Sequence, residues 1–302
     1  MGRPTTESQV SPQVRLRAPA KVNLRLEVLG RRPDGYHELR SLATAVGLFD
    51  GLRFRPAGPG CFELRCDDPT LACDESNLVV RAARLLAERI ASHPGARVEL
   101  EKCIPVGGGL GGGSSDAATA LRGLNELWRA DLPNNDLARI GARVGSDVPL
   151  FFALPTALIE GRGERVTRVG MRWSGCMLLV LGDDPVSTAE VYRAWRPDDS
   201  RAGHADEIRR LSEVAEAEPL AGLCLNELQA AVFRVAPAVE RMYTQVQRIT
   251  GRPVCVSGAG STMFTPFDDL ETAQSVEQEL AEAGLRTAVV GAGRDALTDR
   301  RA

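Results

Sequence analysis

Apolar residues recur along the chain with two periods, and the switches between them mark out the elements. In VRLRAPAKVNLRLEVLG, Leu24, Leu26 and Val28 share one face and Arg25 and Glu27 the other, so strand is expected on both sides of Pro19. Leu52 with Phe54, Phe62 with Leu64, and Val98 with Leu100 repeat the alternation. Helical spacing takes over in NLVVRAARLLAERI, with Ser76 as the expected N-cap, and in Ala117, Leu121, Leu124 and Trp128. It returns in Leu137, Ile140 and Val144, where Asp136 is expected to cap the start and Gly145 to end the helix at C′.

Further on, MLLVLGDD reads as a strand, and NELQAAVFRVAPAVERMYTQVQRI as two helices parted by Pro237. VCVSGAGSTMFTPF reads as strand, glycine turn, strand. LETAQSVEQELAEAGL is an amphipathic helix and RTAVVGA a last strand. Residues 197–221 are charged and expected to be surface helix. The order is α+β in two successive halves, without the strict βα repetition of a doubly wound sheet.

Between the Val98 strand and the Ala117 helix lies the most unusual stretch, IPVGGGLGGGSSD, with six glycines in seven positions. Glycines let consecutive N–H groups turn toward one point, and the helix after them adds free N–H groups and the positive end of its dipole. Strand, glycine loop and helix start together form a site for a polyphosphate. A Walker loop would need lysine before the serines, and none is present. Gly107, Gly109 and Gly112 formally match the dinucleotide spacing. The helix leads, however, into a proline-bearing turn and another helix, not the required second strand and acid. Gly291, Gly293 and Ala296 match it too, but too close to Ala302 to build a βαβ unit.

Composition narrows the class. A chain of 302 residues can hold two modest domains, and 43% hydrophobic with 25% charged residues is ordinary for a soluble globular protein. A formal net charge of −3 gives no general pull toward nucleic acid or anionic membrane, so an anionic ligand needs a local site. Seven scattered cysteines and three histidines offer no zinc framework and suggest reduced thiols in a cytoplasmic protein, with Cys103 buried. No apolar run could span a bilayer, and the first residues lack a signal-peptide core. Residues 1–13 are polar and expected to be a disordered tail.

The stretch P-x-G-G-G-L-G-G-G-S-S resembles the phosphate loop of the GHMP kinases, the superfamily of galactose, homoserine and mevalonate kinases. Its triple-glycine form is similar to that of the 4-diphosphocytidyl-2-C-methyl-D-erythritol kinase family. Four further segments fit that family: A-K-V-N-L at Ala20, D-G-Y-H at Asp34, G-S-D-V-P at Gly145, and V-S-T-A-E-V-Y at Val186. A third glycine motif fits as well, except that Ala259 stands where the family has serine.

The resemblance implies a GHMP kinase fold: an ATP-binding N-terminal domain like ribosomal protein S5 domain 2 over residues 14–160, and a ferredoxin-like C-terminal domain over 161–302. It implies Asp147 as catalytic base and Lys21 as its cationic partner. Pro105, Val106, Gly107, Gly108, Gly109, Leu110, Gly111, Gly112, Gly113, Ser114 and Ser115 would wrap the ATP phosphates, with Ser114 or Ser115 touching Mg2+. Asn77 and Lys102 would lie beside the adenine and ribose. Asn23, Tyr36, His37 and Tyr192 would hold a small-molecule substrate, diphosphocytidyl methylerythritol, and no nucleic acid or membrane partner is implied. An acid flanked by the apolar run from Val148 to Leu154 is expected to be partly buried. Three rivals stand beside this reading: a sister kinase for another alcohol, a nicotinamide oxidoreductase, and a nucleic-acid binder.

Overall fold

A computed structural model describes residues 13–90, 94–200 and 205–298. Most of the tail expected over residues 1–13 lies outside the described residues. Within them are eleven strands and ten helices. Strands β1 (Val14–Arg31) and β2 (His37–Ala57) form a long antiparallel pair. They carry β3 (Phe62–Cys66), β4 (Gly95–Glu101), β5 (Thr156–Gly161) and β6 (Arg165–Arg168) in one sheet. Strand β2 serves two neighbours in turn, β5 along Leu39–Thr44 and β4 along Gly51–Ala57. Gly161, where the resemblance implies that the second half begins, lies at the β5–β6 turn, and the sheet runs on to Arg168.

Helices α1 (Leu78–Arg89), α2 (Gly112–Leu127) and α3 (Asn134–Val144) pack on one face of this sheet. The spacing read from sequence holds in α2, where Ala117, Leu121 and Leu124 are fully buried. Three local readings are corrected. Asn77, not Ser76, caps α1 by accepting from the Val79 N–H at 2.9 Å, while Ser76 is drawn to Asp74. Pro133 holds the N-cap position of α3, leaving Asp136 in the first turn, paired with Arg139 at 3.0 Å. Gly145 has φ −169°, which is extended backbone, so α3 ends without a left-handed cap.

The second sheet has the order β11-β7-β10-β9, from β7 (Cys176–Leu181), β9 (Cys255–Val256), β10 (Met263–Phe267) and β11 (Arg286–Gly291). Between β7 and β9 lie α4 (Thr188–Ala194), α5 (Ala205–Glu213), α6 (Ala217–Leu223), β8 (Leu225–Asn226), α7 (Gln229–Val235) and α8 (Pro237–Thr250). Helix α9 (Leu270–Glu282) precedes β11, and α10 (Arg294–Thr298) comes after it. Residues 197–221 are more than charged surface, because Ile208, Leu211 and Leu220 are buried in the core shared by both sheets.

That shared core explains β1. Its residues from Ala18 to Val28 are buried without a break, because helices lie beyond one face and the C-terminal half beyond the other. Strand β8 adds itself to the edge of β1 in parallel, so the two halves share a sheet. Arg25 and Glu27, the polar face of the alternation, are therefore buried. Glu27 takes Arg25 at 2.6 Å and Arg40 at 2.9 Å.

Candidate active site

The glycine loop is held from three sides before it meets any ligand. Asp50 Oδ1 accepts from the Cys103 N–H at 2.6 Å and the Ile104 N–H at 2.8 Å, pinning the exit of β4. Ile104 and Leu110 are buried anchors on either side of the first glycines. The third glycine motif grips from the C-terminal half: Ser257 Oγ donates to Gly109 O at 2.9 Å and Thr262 N to Gly108 O at 3.1 Å.

The contact leaves no room for side chains. Gly107 and Gly109 have φ of +70° and +76°. A Cβ on Gly109 would stand 2.0 Å from Ser257 O, and one on Gly107 2.6 Å from Pro185 Cβ. The loop leads into α2, which starts at Gly112 with no side-chain cap, so its first-turn N–H groups are open to an anion.

Lys21 lies under the loop and is only 4% exposed. Its Nζ donates to Asn23 Oδ1 at 2.7 Å and to Gly109 O at 2.6 Å, and its backbone N–H to Leu110 O at 3.0 Å. Burial lowers the ammonium's pKa from its ordinary value, and the charge of Asp147 works against that shift. Asn23 is oriented by Ser41, whose Oγ accepts from its amide at 2.8 Å.

Asp147 stands at the entry of a 3-10 turn, Val148–Phe152, and lines the same cavity as Lys21. Contrary to expectation it is exposed. Val148, Leu150 and Phe151 turn into the core and leave the aspartate one residue earlier on the cavity side.

The cavity measures about 1210 Å³ and joins the sites expected from sequence. Asn77 and Lys102 line it together with the glycine loop, and so do Tyr36, His37 and Tyr192. The His37 and Tyr192 rings stack at 5.2 Å and 28°, and Trp195 meets His37 edge-on at 5.4 Å. Burial, aided by the charge of Arg31, lowers the His37 pKa, which keeps the imidazole neutral at pH 7 with one donor and one acceptor. Burial, with the charge of Asp147, raises the Tyr192 phenol's pKa and keeps its proton on.

Ser115 and Cys103 behave differently from the sequence reading. Ser115 is fully buried and its Oγ donates to Pro19 O at 2.7 Å, so it braces α2 against β1 instead of meeting phosphate or metal. Ser114 remains on the cavity wall. Lys102 is clamped between Asp50 and Asp116, the latter at 2.9 Å. Cys103 is exposed, because its backbone is fixed by Asp50 and its side chain turns outward.

Asp50, Asp116 and Trp195 were missed in the sequence. Asp116 comes directly after Ser114 and Ser115, a spacing that could have drawn attention; Asp50 and Trp195 carry no local signal. Burial drives the Asp116 carboxyl up to about 7, with Lys102 opposing and Asp50 adding. Its Oδ1 has no partner among the described residues. Among those residues no group of three or more His, Cys, Asp or Glu could hold a metal ion, and no helix is long and apolar enough to cross a membrane.

Comparison with known proteins agrees with this geometry. The family model of the GHMP kinases N terminal domain matches residues 77–153, and that of the GHMP kinases C terminal region matches 204–285. The chain is 38% identical over 272 residues to the 4-diphosphocytidyl-2-C-methyl-D-erythritol kinase of Dehalococcoides mccartyi, covering 89% of this chain and 94% of that one. It is 38% identical over 260 residues to the same enzyme of Pelotomaculum thermopropionicum, covering 86% and 91%.

A crystal structure of 4-(cytidine 5'-diphospho)-2C-methyl-D-erythritol kinase superposes with TM-score 0.77 at 33% identity, over 93% of this chain and 99% of the other. A homoserine kinase from Cytophaga hutchinsonii superposes with TM-score 0.74 at 14% identity, over 96% and 98%, and so shares the fold.

Proposed function

This chain belongs to the 4-diphosphocytidyl-2-C-methyl-D-erythritol kinase family of the GHMP kinases, and from that we propose the reaction and the role of each site residue. The protein transfers the ATP γ-phosphoryl group to the 2-hydroxyl of 4-diphosphocytidyl-2-C-methyl-D-erythritol, giving the 2-phosphate and ADP, in non-mevalonate isoprenoid biosynthesis. The observation that carries the reading is one cavity that brings Lys21 and Asp147, far apart in sequence, to the glycine loop and to Tyr36, His37 and Tyr192.

The loop from Pro105 to Ser114 and the open first turn of α2 bind the triphosphate through backbone N–H groups. Lys102 and Asn77 sit at its nucleoside end. Tyr36 and Tyr192 give flat faces to a pyrimidine, and neutral His37 offers a donor and an acceptor to its edge.

Phosphoryl transfer depends chiefly on in-line placement and charge neutralisation, so the chain's main task is to hold the hydroxyl against the γ-phosphate. Asp147 accepts the hydroxyl proton. Lys21, steered by Asn23 and the Gly109 carbonyl, stabilises charge on the transferring group. Mg2+ bound with the nucleotide would neutralise the β- and γ-oxygens. The Ser114 hydroxyl on the cavity wall fits it, since Mg2+ takes few protein oxygens beside phosphates and water.

A coupled ADP-release assay tests the reading. ADP should form rapidly only when diphosphocytidyl methylerythritol is added, and phosphorus NMR should show a new phosphomonoester. Release driven equally well by homoserine or mevalonate would contradict it.

A further inference from the structure

Lys21 can act on the transferring group only if it is held in place, and the third glycine motif is the wall behind it. We propose that Asn226 is the positioning residue that sets this motif against Lys21; the inference rests on the role given to Lys21 above. Asn226 does not itself line the cavity.

Asn226 lies in the two-residue strand β8 and pairs with Leu26 of β1, the strand that carries Lys21 and Asn23. It is buried, at 5% exposure. Its Oδ1 accepts from the Leu228 N–H at 2.9 Å, which turns the amide so that Nδ2 faces the third glycine motif. Nδ2 donates to Val256 O at 2.8 Å and to Gly258 O at 2.7 Å. Both amide protons are used, and they clasp the residues on either side of Ser257.

The clasped segment touches the reacting end of the site. Ser257 Oγ and Lys21 Nζ donate to the same carbonyl, Gly109 O. Gly258, at φ +55°, stands against that meeting point. A Cβ on it would lie 3.3 Å from Lys21 Nζ, from Asn23 Oδ1 and from Gly109 O. One amide therefore fixes the motif to the strand that carries the lysine. The glycine loop has a separate tie, from Thr262 N–H to Gly108 O, that does not pass through Asn226. Nucleotide binding should accordingly depend on Asn226 less than phosphoryl transfer does.

Two variants of the full chain separate positioning from folding. Asn226→Asp keeps the oxygen that accepts from Leu228 and puts oxygen where the donor to both carbonyls stood; Asn226→Ala loses all three bonds. Thermal melting shows which variants fold. In both, kcat for ADP release with diphosphocytidyl methylerythritol should fall by roughly ten- to a hundredfold, the cost of a small misplacement made away from the reacting atoms. ATP affinity and both KM values should stay within about threefold of the wild type. A residue that only capped the turn into α7 would be rescued by aspartate, so full kcat in folded Asn226→Asp overturns the role. A loss confined to KM overturns it as well, and where only Asn226→Ala folds, its split between kcat and KM decides in the same way. Failure of both variants to fold would make Asn226 a structural residue and end the proposal. Lys21→Met separates this inference from the reading beneath it. A wild-type rate there removes the role of Lys21, whereas unchanged kcat in the Asn226 variants alone removes only that of Asn226.

Discussion

Lys21 and Asp116 are both buried charges beside one loop, yet they differ in what surrounds them. Lys21 gives its protons to two oxygens and is opposed by a carboxylate across an open cavity, which suits a group meant to meet an anion. Asp116 is sealed against Lys102 with one oxygen unpartnered among the described residues, and burial lifts it to about 7.

A carboxyl raised in the folded state favours the fold below its unfolded value, near 3.8, and loses that contribution as pH rises through about 7. The stability of Asp116→Asn relative to the wild type should therefore rise between pH 5 and pH 8, read from urea midpoints. An equal gap at both pH values would contradict this.

At this scale the sequence was informative where a side chain meets ligand. A-K-V-N-L, D-G-Y-H and G-S-D-V-P pointed to residues that all line one cavity. It was silent on Asp50, whose role depends on β2 lying beside the exit of β4, a neighbour relation no local pattern encodes. Ser114 and Ser115 could not be separated until the helix phase turned one to the cavity and the other to Pro19.

The glycine loop and α2 act as one element, and their glycines are required for different reasons. Gly109 must be bare because the backbone of the third glycine motif lies against it. Gly109→Ala should drive the loop off Ser257 and weaken ATP binding by at least about tenfold in titration calorimetry, since a Cβ 2.0 Å from a carbonyl oxygen cannot be absorbed. Retained ATP affinity would show that the loop has slack.

Gly123 faces inward, where a Cβ would meet Phe54 at 2.3 Å. Gly123→Ala should cost about 1–3 kcal/mol by overpacking. That outweighs the roughly 1 kcal/mol of helix propensity that alanine brings. Equilibrium denaturation reads the difference, and a stabilised variant would overturn the packing account. The element boundaries were legible wherever period and punctuation agreed, as at Pro237, which opens α8. They slipped where two polar residues competed for a cap, as Ser76 and Asn77 did; Asp74 decided between them.

Across the whole molecule, β1 joins the two halves. Its unbroken burial from Ala18 to Val28 could not be read from alternation alone, which gives a polar face without saying what covers it. The cover is the C-terminal half, and the polar face is satisfied by pairing: Glu27 is fully buried between Arg25 and Arg40. Glu27→Ala would strand two arginines and should cost about 3–5 kcal/mol in denaturant unfolding. A cost below about 1 kcal/mol would mean the pair is dispensable.

The same junction brings Ser257 to the loop and Tyr192 to His37, so the site exists only when both halves are docked. The central claim is that the acid on the cavity wall takes the proton while the loop holds the nucleotide independently. Asp147→Asn tests it most directly, by single-turnover phosphoryl transfer alongside ATP titration. General base catalysis predicts a fall of about 10²–10⁴-fold in rate with ATP affinity unchanged. A rate within about threefold of the wild type would contradict the account.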